Sequence, residues 1–521
     1  MFRLERALAP LFPEWALRRA MARQSFDSLT RAYEAAGNGR RLSGWRAPST
    51  SPNEETRTSL ETLRSRSRDI VRNNPYAAGG LDVLVAYQVG YGIIPRSNTG
   101  DAALDKRADA AFMEWGTRCD IAGVLDFHGM LAQAARTRAE AGEALVRLHR
   151  MGAAEARRLG DAVPLKLQVL EPDHLDTDKS EASGAVTIKQ GVELDGSDRR
   201  LAYWLYPQHP GEMLGARLRL QRQSVRVPAA EVLHVFRADR PGQVRGVPDL
   251  TPVLKRLRML DDYEDATFEQ ARVQACLAAF VTSPAGTGKG PLEGTLDSES
   301  SQYRRTLAPG IIERLRPGED VEFLSPGGSG GFNDFARHQL RAVAVGFGLT
   351  YDLLTGDLSD ANYSSLRAGR LAFRRRLEQV QWLMLIPRLC QPIWDSWVEA
   401  AQMAGVLPDR RGKWPVKWSP PRFEFVDPEK DARATILQVR AGLMTWGQAV
   451  AEQGWDPRAQ VAEIAEWNNE LDEAGIILDA DPRRTAMSGG AQDAKQNAVV
   501  EIAATGAAAP PSPTPEPTPA P

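Results

Sequence analysis

Apolar residues along this chain change their period several times, and each change marks an element. From about Thr56 to Tyr91 they recur at helical steps and predict two helices. The first turns Leu60, Leu63, Ile70 and Val71 inward and Arg64, Arg66, Arg68 and Arg72 outward. Asn73-Asn74-Pro75 breaks it, because the residue before proline avoids the helical region. The second, Tyr76–Val89, is almost wholly apolar and is expected to be buried. Ala102–Trp115 and His128–Ala141 read as two more helices.

Between residues 142 and 238 the period falls to two. Leu165, Leu167 and Val169 alternate, as do Val186 and Ile188, then Leu201, Tyr203 and Leu205. Asp195-Gly196 lies between the last two runs as a hairpin signal. This stretch predicts an antiparallel sheet packed on the preceding helices, an α+β arrangement. Helical period returns from Pro248 to about Thr282, with Leu250, Val253, Leu254, Leu257, Leu260, Ala266, Val273 and Cys276 as its apolar face. Residues 283–332 are rich in Gly and Pro, with short strands expected at Ile311–Leu315 and Val321–Leu324. Phe332 to Gly346 reads as a helix with Phe335, Leu340, Val343 and Phe347 as core positions. Asp427-Pro428-Glu429 opens the first of three helices in 429–480, with an N-cap and Pro at the first position. The end, GAAAPPSPTPEPTPAP, cannot build a core and is expected to be disordered.

The join at Gly346–Arg376, GFGLTYDLLTGDLSDANYSSLRAGRLAFRRR, stands apart. From Ala342 to Leu366 there is no Lys or Arg but there are three Asp, Asp352, Asp357 and Asp360; then five Arg fall within ten residues. Ser364 or Ser365 can cap the helix that follows, whose face is Leu366, Phe373, Leu377, Val380 and Met384. Arg367, Arg370 and Arg374 run beside that face, with Arg375 and Arg376 further round. Spacing alone also allows a solvated loop before an ordinary packed helix.

With 521 residues the chain is too long for one core. Net charge is −2, so no global basic field points to nucleic acid, but the charge is segregated. Residues 1–72 carry fourteen Arg against eight acids, and residues 450–481 carry nine acids against Arg458 alone. That asymmetry favours directional contacts between subunits or partners. Cys119, Cys276 and Cys390 lie far apart with no histidine at ligand spacing, which argues against zinc and for a reducing compartment. No apolar run approaches the roughly 18 residues of a membrane span, and no signal peptide is expected. GTGKG is not a phosphate loop: Ser283 stands where the first Gly belongs, and Gly290 where Ser or Thr belongs. Glu171, Asp173, His174, Asp176 and Asp178 offer ligand atoms, but Pro172 interrupts them and no second cluster follows, so a strand-end turn is the better reading than a metal-dependent hydrolase.

The run LTGDLSDANYSSLRAG resembles the hallmark of the lambda-like family of tailed-bacteriophage portal proteins. Further pieces follow the family's order: RSRDIVRNNPYA, GEALVR, EPDHLD, EVLHVF, RPGQVRGVPDL, VDPEKDA and GLMTWGQ. Together they cover roughly Leu60 to Glu466. The resemblance implies a portal fold: an N-terminal arm (1–60), a mixed α/β wing (61–247), a first stem helix (248–282) and a small β-rich clip (283–332). A second stem helix (333–349), a channel loop (350–364), a long helix returning to the wing (365–428), a helical crown (429–480) and a disordered tail (481–521) complete it. It also implies a homo-oligomeric ring, usually of twelve, at one capsid vertex of the virion, built in the host cytoplasm. Double-stranded DNA passes through the ring, which docks the terminase large subunit, the major capsid protein and head–tail connector proteins. On this reading the channel lining is Asp352, Thr355, Asp357, Ser359, Asp360, Asn362 and Tyr363. Arg367, Arg370, Arg374, Arg375 and Arg376 are expected to meet a neighbouring subunit or DNA. No catalytic residue, metal or cofactor is expected. A head protein without a channel is the alternative.

Overall fold

Asn74 makes the first corner. In the computed structural model its backbone is extended (φ −108°, ψ 121°) and its side chain accepts from the Ala77 amide, capping the helix that Pro75 opens. The described residues are 47–483 except 48, 213–222, 276–278, 283–294, 297–302, 305–319, 324–331, 360–361, 411, 423–426, 456, 477, 479–480 and 482. Most of the expected arm, nearly all of the expected tail, Cys276, GTGKG and the expected strand Ile311–Leu315 lie outside them. The chain divides into two compact units, Met1–Ser59 and Leu60–Pro521. Among the described residues, every strand and every hydrophobic core belongs to the second unit.

Helices α1 (Pro52–Asn73) and α2 (Pro75–Val89) lead to strand β1 (Ile94–Ser97), then α3 (Ala102–Gly116) and α4 (Phe127–Ala141). Aspartates at the N-caps, Asp101 and Asp126, start the last two. Next come β2 (Glu143–Arg150), the short α5 (Ala153–Leu159) and β3 (Leu165–Leu170). Five short strands follow: β4 (Glu181–Ser183), β5 (Val186–Lys189), β6 (Val192–Leu194), β7 (Arg200–Leu205) and β8 (Val225–Pro228). Strand β9 (Val232–Phe236) closes the region. The pairing is antiparallel as expected, but it makes two sheets rather than one, ordered β3-β2-β9 and β4-β5-β6-β7-β8. The Asp195 turn joins β7 to β6, a strand of only three residues and therefore too short to show a period. Asp195 Oδ1 accepts from the amides of Ser197 and Arg199.

The long helix expected from Pro248 is shorter. Helix α6 spans Leu254–Ala275, and Ala279–Thr282 is a strand, β10, paired with β13 (Asp320–Phe323). Ala279-Phe280-Val281-Thr282 has β-branched and aromatic side chains, and a partner strand outbids helical propensity there. A second small pair joins β11 (Thr295–Leu296) to β12 (Tyr303–Arg304). The α6 face is buried at Leu254, Leu257 and Leu260, whereas Ala266, Met259, Tyr263 and Phe268 are exposed. Helix α7 (Phe332–Phe347) buries Leu340, Val343 and Phe347, but Phe335 is exposed and the small Ala336 and Ala344 pack inward in its place.

Helix α8 (Tyr351–Thr355) and the loop after it lead to α9 (Tyr363–Val380). Its cap is Asn362, reciprocated by Ser365, rather than Ser364 or Ser365 alone. The rod continues through a π-helical segment, Gln381–Cys390, into α10 (Gln391–Met403). Pro387 sits inside that segment. Proline has no N–H to give and its ring collides with a preceding carbonyl, so the wider π register accommodates it without ending the rod. Strand β14 (Val416–Ser419) then pairs with β1, Ile94 opposite Ser419 and Pro95 opposite Trp418. Helices α11 (Pro428–Arg440), α12 (Trp446–Glu452) and α13 (Pro457–Glu473) end the described chain.

The largest core gathers α3, α4, one face of β2–β3, the π segment and α10. Phe112 is its hub, with ring centroids 5.1 Å from Phe127, 5.1 Å from Trp394 and 5.0 Å from Trp397. Trp394 and Trp397 are wholly buried. A second core joins α1, α2, α6, α7, α8 and α9 through Leu81, Leu257, Phe347 and Phe373. Trp397→Ala should cost about 3–5 kcal/mol, because the surrounding rings cannot collapse into the void; a urea unfolding curve of this unit that does not move would contradict it.

Candidate functional site

The loop between α8 and α9 is held mainly by its own polar atoms. Gly356 closes α8 in the left-handed region and its amide bonds Asp352 O at 2.8 Å. Asp357 then turns back: Oδ1 accepts from the Ser359 amide at 3.0 Å, and Oδ2 accepts from Tyr351 Oη at 3.2 Å and Arg337 Nη2 at 3.3 Å. Hydrogen bonds from Ser359, then Tyr351, and the Arg337 charge pull the Asp357 carboxyl down to about 2. Arg337 comes from α7, so a cation does reach the loop although none lies in the sequence from Ala342 to Leu366. Thr355 Oγ1 bonds back to Tyr351 O and accepts from the Asp357 amide. Asn362 spends its side chain on the Ser365 amide, 2.8 Å away. Tyr363 is the first residue of α9, Asp352 lies on α8, and Asp360 falls outside the described residues.

Three of the five arginines of α9 bond carboxylates of the same chain. Arg367 reaches Asp431 at the start of α11 (2.8 Å), and Arg374 and Arg375 bond Glu378 at 2.9 Å and 3.1 Å. Arg376 lies over Gly348 (φ +76°), where a Cβ would overlap the guanidinium. Loss of water lowers the Arg376 pKa, and nearby Asp249 works against that. Arg370 is exposed. The helix carrying them rests on α2 through Leu377 and Phe373, whose ring meets Tyr87 edge-on at 5.3 Å.

Behind this frame is a buried ion cluster that sequence reading missed. Glu143, at the start of β2, is 0% exposed. Its Oε1 accepts from Arg64 Nη2 at 3.1 Å and Arg245 Nε at 2.8 Å. Its Oε2 accepts from His234 Nε2 at 2.8 Å and the Gly246 amide at 3.0 Å. Arg64, expected to face water, is 2% exposed because this carboxylate draws it in. Burial alone pushes the Glu143 carboxyl up, yet Arg245, His234 and Arg64 together hold it well below the carboxylate range. Burial lowers Arg64 to about 10 and His234 to about 4. Gly246 admits this geometry: a Cβ there would strike the Gly142 carbonyl and the Phe236 side chain. The signal was present, since GEALVR, EVLHVF and RPGQVRGVPDL supply Glu143, His234 and Arg245.

Of the five ligand candidates, Glu171 and Asp173 do meet, joined by His209, with ligand atoms within 4.8 Å of one another. Arg68 already bridges them, bonding Asp173 and lying 2.7 Å from Glu171. A guanidinium in that position repels a divalent ion. His174 bonds Tyr206 O and Asp176 accepts from Ser224 Oγ, so both serve the turn.

Residues 38–381 match the model of the phage portal protein, lambda family. The chain belongs to that family. Among its relatives, the probable portal protein of Halomonas phage phiHAP-1 is 28% identical over 457 residues, covering 84% of this chain and 86% of that protein. Portal protein B of Escherichia phage lambda is 23% identical over 493 residues, covering 85% and 90%. Among solved structures, a chain from the neck of a native gene transfer agent particle computed with C12 symmetry aligns at 14% identity and a TM-score of 0.42. It covers 81% of this chain and 99% of that one. In this portal-family chain the matched residues include both the Asp-rich loop and the whole Glu143 cluster.

Replacing Glu143 with Ala strands Arg64 and Arg245 without a counter-charge and should destabilise the fold by about 3–5 kcal/mol, read by denaturant unfolding. Acid should act through His234. Its folded pKa lies below the usual histidine value, so the unfolded chain binds more protons, and stability present above about pH 6.5 is lost as pH falls toward 4. His128, also lowered by burial, adds to the same slope. The unfolding midpoint should therefore drop between pH 6.5 and 5, and His234→Gln should flatten that drop; an unchanged slope would count against the assignment.

Proposed function

We propose that this chain is the subunit of a phage portal: a closed ring, of twelve copies, at one vertex of the capsid, through which double-stranded DNA enters and leaves. Family membership over residues 38–381 supports the reading most directly. On this proposal the α6–α7 helices form the stem, and the residues between them form the clip that docks the terminase large subunit and later the connector proteins. The wing meets the major capsid protein, and α11–α13 form the crown. The terminase supplies the chemical work, and the portal supplies the passage.

The loop's composition suits a passage rather than a grip. Lys and Arg lining a channel would release counterions from DNA and hold it. Here the loop offers Asp352, Asp357 and Asp360 and has no cation of its own. Because Arg337 answers Asp357, the repulsion rests on Asp352 and Asp360. The remaining lining residues, Thr355, Ser359, Asn362 and Tyr363, shape and end the loop. Arg367, Arg370, Arg374, Arg375 and Arg376 stand behind it, facing a neighbouring copy.

Asp352→Lys combined with Asp360→Lys should slow DNA translocation in a packaging assay without changing ring assembly. Packaging at the unaltered rate would remove the lining role.

A further inference from the structure

Helices α11, α12 and α13 bury no side chain among the described residues. On α13, Val461 (54% exposed), Ile464 (42%) and Trp467 (59%) are left to water. A run of uncovered apolar side chains of this kind marks an interaction surface. Beside it Glu463, Glu466 and Glu470 form an exposed stripe at i, i+3 and i+7. Apart from Arg458, which bonds Asp105 of the wing, α13 carries only acids: those three with Asp472 and Glu473.

Helix α9 carries the complement. Arg367, Arg370 and Arg374 repeat at the same i, i+3, i+7 spacing, and α9 as a whole has five Arg against Glu378 alone. Each stripe covers about 10 Å of helix. Arg370, at the centre, is exposed, as are Leu371 (55%) and, further along the rod, Trp382 (49%). The acidic stripe thus has a partner surface of matching pitch and opposite charge, with the exposed Leu371 beside it to meet the apolar side chains of α13.

We propose that the Glu463–Glu466–Glu470 stripe of α13 docks on the Arg367–Arg370–Arg374 stripe of α9 in the next copy of this chain. The contact is head-to-tail: one surface gives acids and a different surface receives them. Repeated by rotation, such a contact closes a ring instead of stopping at a dimer. It rests on the ring reading above and adds which surfaces meet. Arg367 and Arg374 keep their own-chain carboxylates, Asp431 and Glu378, so the incoming acids complete a shared row of charges and Arg370 gains the central contact.

The test uses two full-length variants, Arg370→Glu with Arg374→Glu, and Glu463→Lys with Glu466→Lys and Glu470→Lys. Ring formation is read by native mass spectrometry, and protection of residues 457–473 by hydrogen exchange. In the unaltered ring those amides should exchange roughly tenfold more slowly than in the dissociated monomer. Each variant alone sets like charges against each other and should lose that protection. An equimolar mixture restores opposite charges at every interface and should regain it, which also shows that both variants fold. Rings whose 457–473 exchange matches the monomer, or a mixture that fails to rescue, would overturn the contact while leaving the ring reading intact. An unaltered chain that stays monomeric would instead overturn the ring reading itself.

Discussion

One carboxylate, Glu143, organises the unit from Leu60 onward. Taking it out of water is costly, and two guanidiniums, an imidazole and a backbone amide answer its charge there and hold it ionised. Those donors come from α1, β9 and the turn that leads into α6, elements up to 103 residues away along the chain. Arg245 reaches further, to the Gln190 carbonyl at 2.9 Å and to Thr177, so the five-stranded sheet is tied to the same point. A buried charge tolerates no sliding. A shift of one register would strand Arg64 or Arg245 without a counter-ion, so the cluster fixes how helices and both sheets meet.

From that fixed centre a second group of ions governs the frame of the loop. Asp249, just beyond Arg245, accepts from Arg138 at 2.6 Å and lies 3.2 Å from Arg237. Arg138 in turn reaches Gln88 on α2. Gln381, where the rod changes to π register, bonds the Gln88 carbonyl at 3.0 Å. The rod that begins at the Asp-rich loop is thereby anchored to α2 midway along its length, and its far end is packed among Trp394, Trp397 and Phe112. The loop therefore projects from a rigid base, whereas the C-terminal helices attach through ion pairs such as Arg367–Asp431 and Arg458–Asp105.

Much of this was legible along the chain. Helices with a clean break or cap, at Asn74-Pro75 and Asp427-Pro428, were readable because the signal is local. So was the antiparallel character of residues 142–238. The strand β14 was not, since Trp and Pro around it suit many conformations and only β1 supplies its hydrogen bonds. The end of the expected helix from Pro248 was misread because β13 lies about 40 residues away and decides the state of Ala279–Thr282. At the loop, the acid-rich composition was plain, but not that Arg337 from the preceding helix answers Asp357.

The sequence by itself determined the family, the capped helices, the cation-poor loop and the two charged stripes, because those are properties of residue type and spacing. Only the tertiary structure decided that Arg64 points inward, that the scattered motifs converge on Glu143, and that Glu171 and Asp173 are closed by Arg68 instead of open to a metal. The reason is physical: a charge shows no preference for inside or outside until its counter-charge is placed, and here the counter-charges arrive from positions 79 and 105 residues away.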